Sequence, residues 1–230
     1  MEIRRPRRAL VTAVTDRVRR ECGWDENVVV PVEELLTRHG VRVRWSPESL
    51  GRDGASTIRC AIGTVTVLNP DDRDFPQRVR WSMCHELMHV LLQHLDDFSA
   101  VHLSAEQEGV LCREADLGAS ELLLPAGAVR HFIAQHFPAA AGVGLIPREI
   151  GALKEHFQVS WQAMTIRLDE LGIQDRQVTW GLFASQGRPL DDDASNVPAW
   201  ARREAAHILQ QRDLSERPGH SHRSDDHTEA

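Results

Sequence analysis

Apolar residues recur at helical spacing near the start of the chain. Leu10, Val11, Val14, Val18 and Cys22 share one face over residues 7–22, which predicts an amphipathic helix. A shorter helix is expected after Pro31, in VEELLTRH, ending at Gly40 as a C-terminal glycine should. The period then drops to two. Val41, Val43 and Trp45 alternate with Arg42 and Arg44, the mark of a half-buried strand. Two further strands are expected at 57–62 and 64–68 with a tight turn at Gly63, and Asn69-Pro70-Asp71-Asp72 reads as a loop. Helical patterns follow from Pro76 to about His94, from about Ala105 to Leu124 before Pro125, and from Ala126 to Phe137 before Pro138. Residues 147–157 and 161–171 form a helix-turn-helix-like pair, with Ser160 as N-cap and Gly172 beyond the end. Val178 to Phe183 reads as a strand. Beyond Gly187 the chain turns polar, with one isolated helix expected at 199–211. Residues 215–230 have almost nothing to bury and are expected to be disordered.

Composition narrows the class. The chain has 230 residues and 41% hydrophobic residues, enough for a packed core. Its net charge is −7, whereas a nucleic-acid-binding chain usually carries a basic excess. Basic residues do gather near the start (Arg4, Arg5, Arg7, Arg8, Arg17, Arg19, Arg20). Cys22, Cys60, Cys84 and Cys112 form no C-x-x-C pair and read as free thiols in a reducing cytoplasm. The apolar stretch 9–14 is too short for a signal-peptide core. No apolar run approaches the roughly 18 residues that would span a bilayer. A cytoplasmic protein is expected.

The chemistry centres on His85-Glu86-Leu87-Met88-His89. Positions i and i+4 of a helix lie one above the other, so two imidazoles there can reach one zinc ion. Zinc lowers the pKa of bound water toward ~7, and the adjacent Glu86 is placed to take its proton as general base. Val79, Met83, Leu87, Val90 and Leu91 surround the helix with apolar residues, so it must be largely buried. A hydrolytic zinc site needs a third protein ligand and an open position. The best source is the segment Glu114-Ala-Asp116-Leu-Gly-Ala-Ser-Glu121-Leu-Leu-Leu-Pro125, in which Glu114 and Glu121 share a face and either would serve. The chain has no tyrosine, so the oxyanion-stabilising group must be sought among His94, His102 and Arg78. Cys84 reads as core packing, with a redox role as the alternative given its neighbour His85. His220, His222 and His227 read as solvated.

The run from Gln77 to His94 (QRVRWSMCHELMHVLLQH) resembles the ImmA/IrrE family of metallopeptidases, with its R-x-R-[FW]-[ST] lead-in, H-E-x-x-H and a further His five residues on. Residues 114–125 resemble that family's second signature, E-A-N-x-F-A-x-E-L-L-M-P. The opening PVEELLTRHGVRV, the strand ending at Asn69 and the segment 157–172 are similar too, so the likeness spans roughly residues 25–175. An α+β fold is expected: a mostly helical, zincin-like metallopeptidase domain with a small β-sheet (1–140), a helix-turn-helix-like extension (141–186) and, from composition, a polar, largely disordered tail (187–230). The likeness implies one Zn2+ per chain held by His85, His89 and Glu114, with Glu121, Asp116, His94, Asn69 and Arg78 as candidates for supporting or substrate contacts. Two departures stand beside Glu114: Asp116 replaces the usual Asn, and Gly118 the usual Phe.

The resemblance further implies a regulatory endopeptidase that cleaves a helix-turn-helix (XRE-type) transcriptional repressor in mobile-element or stress-response control. An extended substrate is expected to pair with an edge strand at 64–69. The alternative is a DNA-binding or repressor-binding regulator that uses residues 147–172 without proteolysis. The mixed charges there (Arg148, Lys154 and Arg167 against Glu149, Glu155, Asp169 and Glu170) disfavour phosphate contacts.

Overall fold

The computed structural model describes residues 5–24, 29–47, 54–61, 63–97, 103–186 and 197–216. His102, Ile62 and the tail histidines named above lie outside them. Arg8–Cys22 forms α1, and Val11, Val14 and Val18 are its buried face. Gly23 ends it with a φ of 66°, and its amide bonds back to Arg20. α2 (Val32–Arg38) follows, and Gly40, at φ 69°, turns the chain into β1 (Val41–Trp45).

β2 (Ala55–Cys60) and β3 (Gly63–Leu68) form an antiparallel hairpin, and β1 pairs parallel to β3. The sheet order is therefore β1-β3-β2. Residues 64–69 do not provide the expected edge, because β3 has a neighbour on each side. The burial of Val65, Thr66, Val67 and Leu68 fits that central place. Thr57 and Thr66, directly opposite in the register, share a buried hydroxyl–hydroxyl bond of 2.7 Å. Among the described residues the free edges belong to β1 and β2.

α3 (Pro76–Leu91) carries the His-Glu motif and packs along α5 (Ala105–Leu123) and beside β2 and β3. It ends three residues before the expected His94. Gln93 adopts a left-handed φ of 60°, and His94 instead opens a short helix, α4 (His94–Asp97). A Ser104/Gln107 capping box starts α5 by satisfying otherwise unpaired terminal amides. α6 (Ala126–His136), α7 (Pro147–Phe157) and α8 (Trp161–Glu170) form as predicted. The helix-turn-helix-like pair is not a free-standing module. Ile150, Leu153, Phe157, Met164 and Leu168 join the same core as Leu87, Met88 and Leu122.

Residues 178–183 are helical, not extended: they lie within α9 (Arg176–Ser185). Asp175 caps its start, accepting from the amides of Gln177 (2.7 Å) and Val178. The apolar residues that suggested a strand serve a helix–helix contact. α10 (Ala199–Glu216) runs further than expected and is not isolated, since it packs on α9. Val178 and Leu182 meet Ala201, Ala205 and Ile208 in a second apolar cluster. Gly181 lets the backbones close in, for a β-carbon there would stand 3.1 Å from both the Ala201 carbonyl oxygen and Ala205 Cβ. A buried ion pair between Arg212 and Glu149 ties α10 to α7. Among the described residues no helix is long and apolar enough to cross a membrane.

Candidate metal centre

One helical turn apart on α3, the rings of His85 and His89 stand 4.9 Å apart, with their Nε2 atoms 3.2 Å from each other. Two ligands of a tetrahedral zinc at ~2.05 Å stand about 3.3 Å apart, so this spacing suits a shared cation.

The outer nitrogens are held by a hydrogen-bond network that also sets the tautomers. Asp116 on α5 accepts from His85 Nδ1 at 2.8 Å. A carboxylate only accepts, so the lone pair of neutral His85 falls on Nε2. Glu114 accepts from His94 Nε2 at 3.0 Å, and His94 Nδ1 lies 2.9 Å from His89 Nδ1. A neutral His94 then receives the His89 Nδ1 proton, which places the His89 lone pair on Nε2 as well. Both imidazoles thus aim a ligand atom at the same point.

The two rings differ in charge. Burial, then the neighbouring His85 and His94, push the His89 pKa down to about 3, so it stays neutral. Burial works against a charged His85, but hydrogen bonds with Asp116 and Cys112 outweigh it and hold its pKa up at about 10. Without a cation between the rings that proton bridges the two Nε2 atoms, and a metal would have to displace it. Glu86 is buried on the same helix, with 7% of its surface exposed.

The remaining sequence-predicted residues fall in different places. Glu114 is fully buried, and its carboxylate faces Arg7 and His94. Arg7 donates to it from its backbone amide (2.6 Å), Nε (2.9 Å) and Nη2 (2.7 Å). Burial disfavours the ionised form, yet these bonds and His94 hold the Glu114 carboxyl below its usual range. The side chain found beside His85 and His89 is instead Cys112, whose sulfur and the two imidazoles bring their ligand atoms within 4.8 Å of one another. Glu121 pairs with Arg167 of α8 at 2.8 Å, linking the helix pair to the core. Asn69 caps a 3₁₀ turn by accepting from Asp71 N, and the exposed Arg78 pairs with the buried Asp72 at 3.3 Å. His94, once a candidate for oxyanion contact, is 4% exposed and orients His89. Cys84 is fully buried, and burial pushes its thiol up to about 12, which makes it an inert core residue.

Cys112 and Arg7 are the residues that sequence reasoning passed over at this site. A signal existed for the first. Cys112 and Asp116 are four residues apart and share a helix face, whereas Glu114 sits roughly 200° around the helix from Cys112. Gly118, the second departure from the family pattern, is filled by its neighbour. A β-carbon there would lie 2.8 Å from Met88 Cγ, so Met88 occupies the space a larger residue would need.

A helix-borne pair of imidazoles with oriented Nε2 atoms, an adjacent buried glutamate and a small three-stranded sheet define a metallopeptidase-type protein. The model of the Peptidase_M78 family, the IrrE N-terminal-like domain, matches residues 36–169, and the chain belongs to that family. A search of curated proteins returns no match.

Proposed function

We propose that the protein is a zinc-dependent endopeptidase that cleaves a helix-turn-helix transcriptional repressor, with His85 and His89 as metal ligands and Glu86 as general base. The observation that carries this reading is the convergence of the His85 and His89 Nε2 atoms, 3.2 Å apart, on the helix that also buries Glu86. The donor set fits the ion: imidazole nitrogens are held in one tautomer by outer carboxylate and histidine partners, as zinc sites usually require. Zinc bound there supplies Lewis acidity toward a carbonyl oxygen and a water.

Within that frame Glu86 accepts the proton of the attacking water and delivers it to the leaving nitrogen. Asp116 and the Glu114–His94 pair keep the two imidazoles from turning away. The outer edge of β2, which packs beside α3, offers backbone donors and acceptors to an extended substrate segment. The DNA-binding alternative is weakened by Arg167. Its guanidinium is buried and committed to Glu121, Glu170 and the Leu124 carbonyl, so phosphate cannot reach it. The test is co-expression with a helix-turn-helix repressor encoded beside this chain. Cleavage is expected with the native protein and not with Glu86→Gln, and unchanged cleavage by Glu86→Gln defeats the assignment.

A further inference from the structure

We propose that the cleft between α2, the end of β1 and the start of α3 binds a free α-amino acid, whose carboxylate seats on the guanidinium of Arg80. The site is separate from the metal centre, since Arg80 stands roughly 180° around α3 from His89.

Three observations carry it. The first is an unpaired donor edge. Arg80 Nη1 donates to the Val30 carbonyl at 2.5 Å, whereas Nε and Nη2 are buried and have no hydrogen-bond partner among the described residues. Nε and Nη2 together form the edge of a guanidinium that holds a carboxylate by two parallel bonds. Arg7 uses that same edge on Glu114, with bonds of 2.9 and 2.7 Å. Buried donors of a charged group are costly when unpaired, so an acceptor arriving there is strongly favoured. Burial also lowers the Arg80 pKa, the mark of a cation with too few partners.

The second is space of the right kind. Arg80 lines a cleft of about 560 Å3, a volume in the range of small-molecule sites. Val79 and Trp45 supply apolar wall, and Trp45 is 37% exposed. Arg73 stacks on that ring, 4.9 Å from its centroid, and steadies it. Glu33 and Arg73 are exposed side chains that can swing aside to admit a carboxylate. The third is charge. Glu33 and Glu34 line the cleft against Arg73 and Arg80, so two acids meet two bases. That balance suits a zwitterion and disfavours a phosphate. Glu33 is close enough to act on the charge of Arg80, so a ligand whose carboxylate meets Arg80 finds an acceptor for its ammonium nearby.

The test is isothermal titration of L-phenylalanine into the native full chain and into His89→Ala. Both are expected to bind one molecule with the same affinity. L-Phenylalaninamide lacks the carboxylate and N-acetyl-L-phenylalanine lacks the ammonium, and each should bind about 10–100-fold more weakly, the worth of one charged hydrogen bond. Arg80→Met should weaken L-phenylalanine by the same factor, and Glu33→Gln, at an exposed position, by less. Circular dichroism reports the folding of each variant, and the ligand series on native protein needs no variant at all. No saturable binding below about 10 mM, equal binding of the amide, or native-like binding by Arg80→Met overturns the proposal. So does saturable binding of inorganic phosphate that L-phenylalanine fails to displace. Loss of binding in His89→Ala would put the amino acid at the metal instead, which overturns the proposal and leaves the metallopeptidase reading standing.

Discussion

Arg7 anchors the start of α1 to the metal-bearing layer, and its removal is a sharp probe of that layer. Arg7→Ala takes two side-chain donors, Nε and Nη2, from a carboxylate with no exposed surface and leaves it His94 and the backbone amide of residue 7. Breaking a buried ion pair by removing one partner costs about 3–5 kcal/mol. Arg7 keeps 27% of its side-chain surface in solvent, so water can replace part of what is lost. We therefore expect about 2–3 kcal/mol, which for a chain of this length lowers Tm by roughly 5–10 °C. Urea and thermal denaturation of the metal-free chain, followed by circular dichroism, measure it. Glu114→Gln should cost less, because a neutral amide tolerates burial better than an unpaired carboxylate. The double variant should then fall short of the sum by about 1–2 kcal/mol. A loss under about 0.5 kcal/mol for Arg7→Ala, or strict additivity, would refute the idea that Arg7 neutralises this buried charge.

Other positions give independent expectations. Gly118→Ala inserts a methyl 2.8 Å from Met88 Cγ. Overpacking of about 1–3 kcal/mol, less up to ~1 kcal/mol gained in helix propensity, should leave a net loss that Met88→Ala relieves in a double-mutant denaturation series. Arg212→Ala strands the buried Glu149, at a cost of about 3 kcal/mol, and should make α10 a target for limited proteolysis while the rest of the chain stays resistant.

Much of the fold was legible because its signals are local. The 3.6-residue spacing in α1, the glycine at 40 and the Ser160 cap each act over a few residues, and the structure keeps all three; the alternation at 41–45 does give a strand, but only Val41 is buried and Val43 and Trp45 stay exposed. What failed was set by partners far away in sequence. Residues 178–183 have a strand's composition, but Gly181 and Leu182 are shaped for α10, some twenty residues on. The central position of β3 depends on which strands flank it, and succession along the chain does not encode that. The same holds at the site. The two imidazoles were readable from one helical turn. The environment of Glu114 was not, because its principal partner, Arg7, is 107 residues away.

The central claim is that His85, His89 and Glu86 form a working hydrolytic site. The most direct measurement compares native and Glu86→Gln proteins, each with one zinc by metal analysis, acting on the purified protein substrate found by the co-expression test. Cleavage of a single peptide bond by the native protein, slowed on the order of 10²–10⁴-fold or more in Glu86→Gln, is the predicted result. Equal cleavage by both proteins, or none by a zinc-loaded native protein, would contradict it.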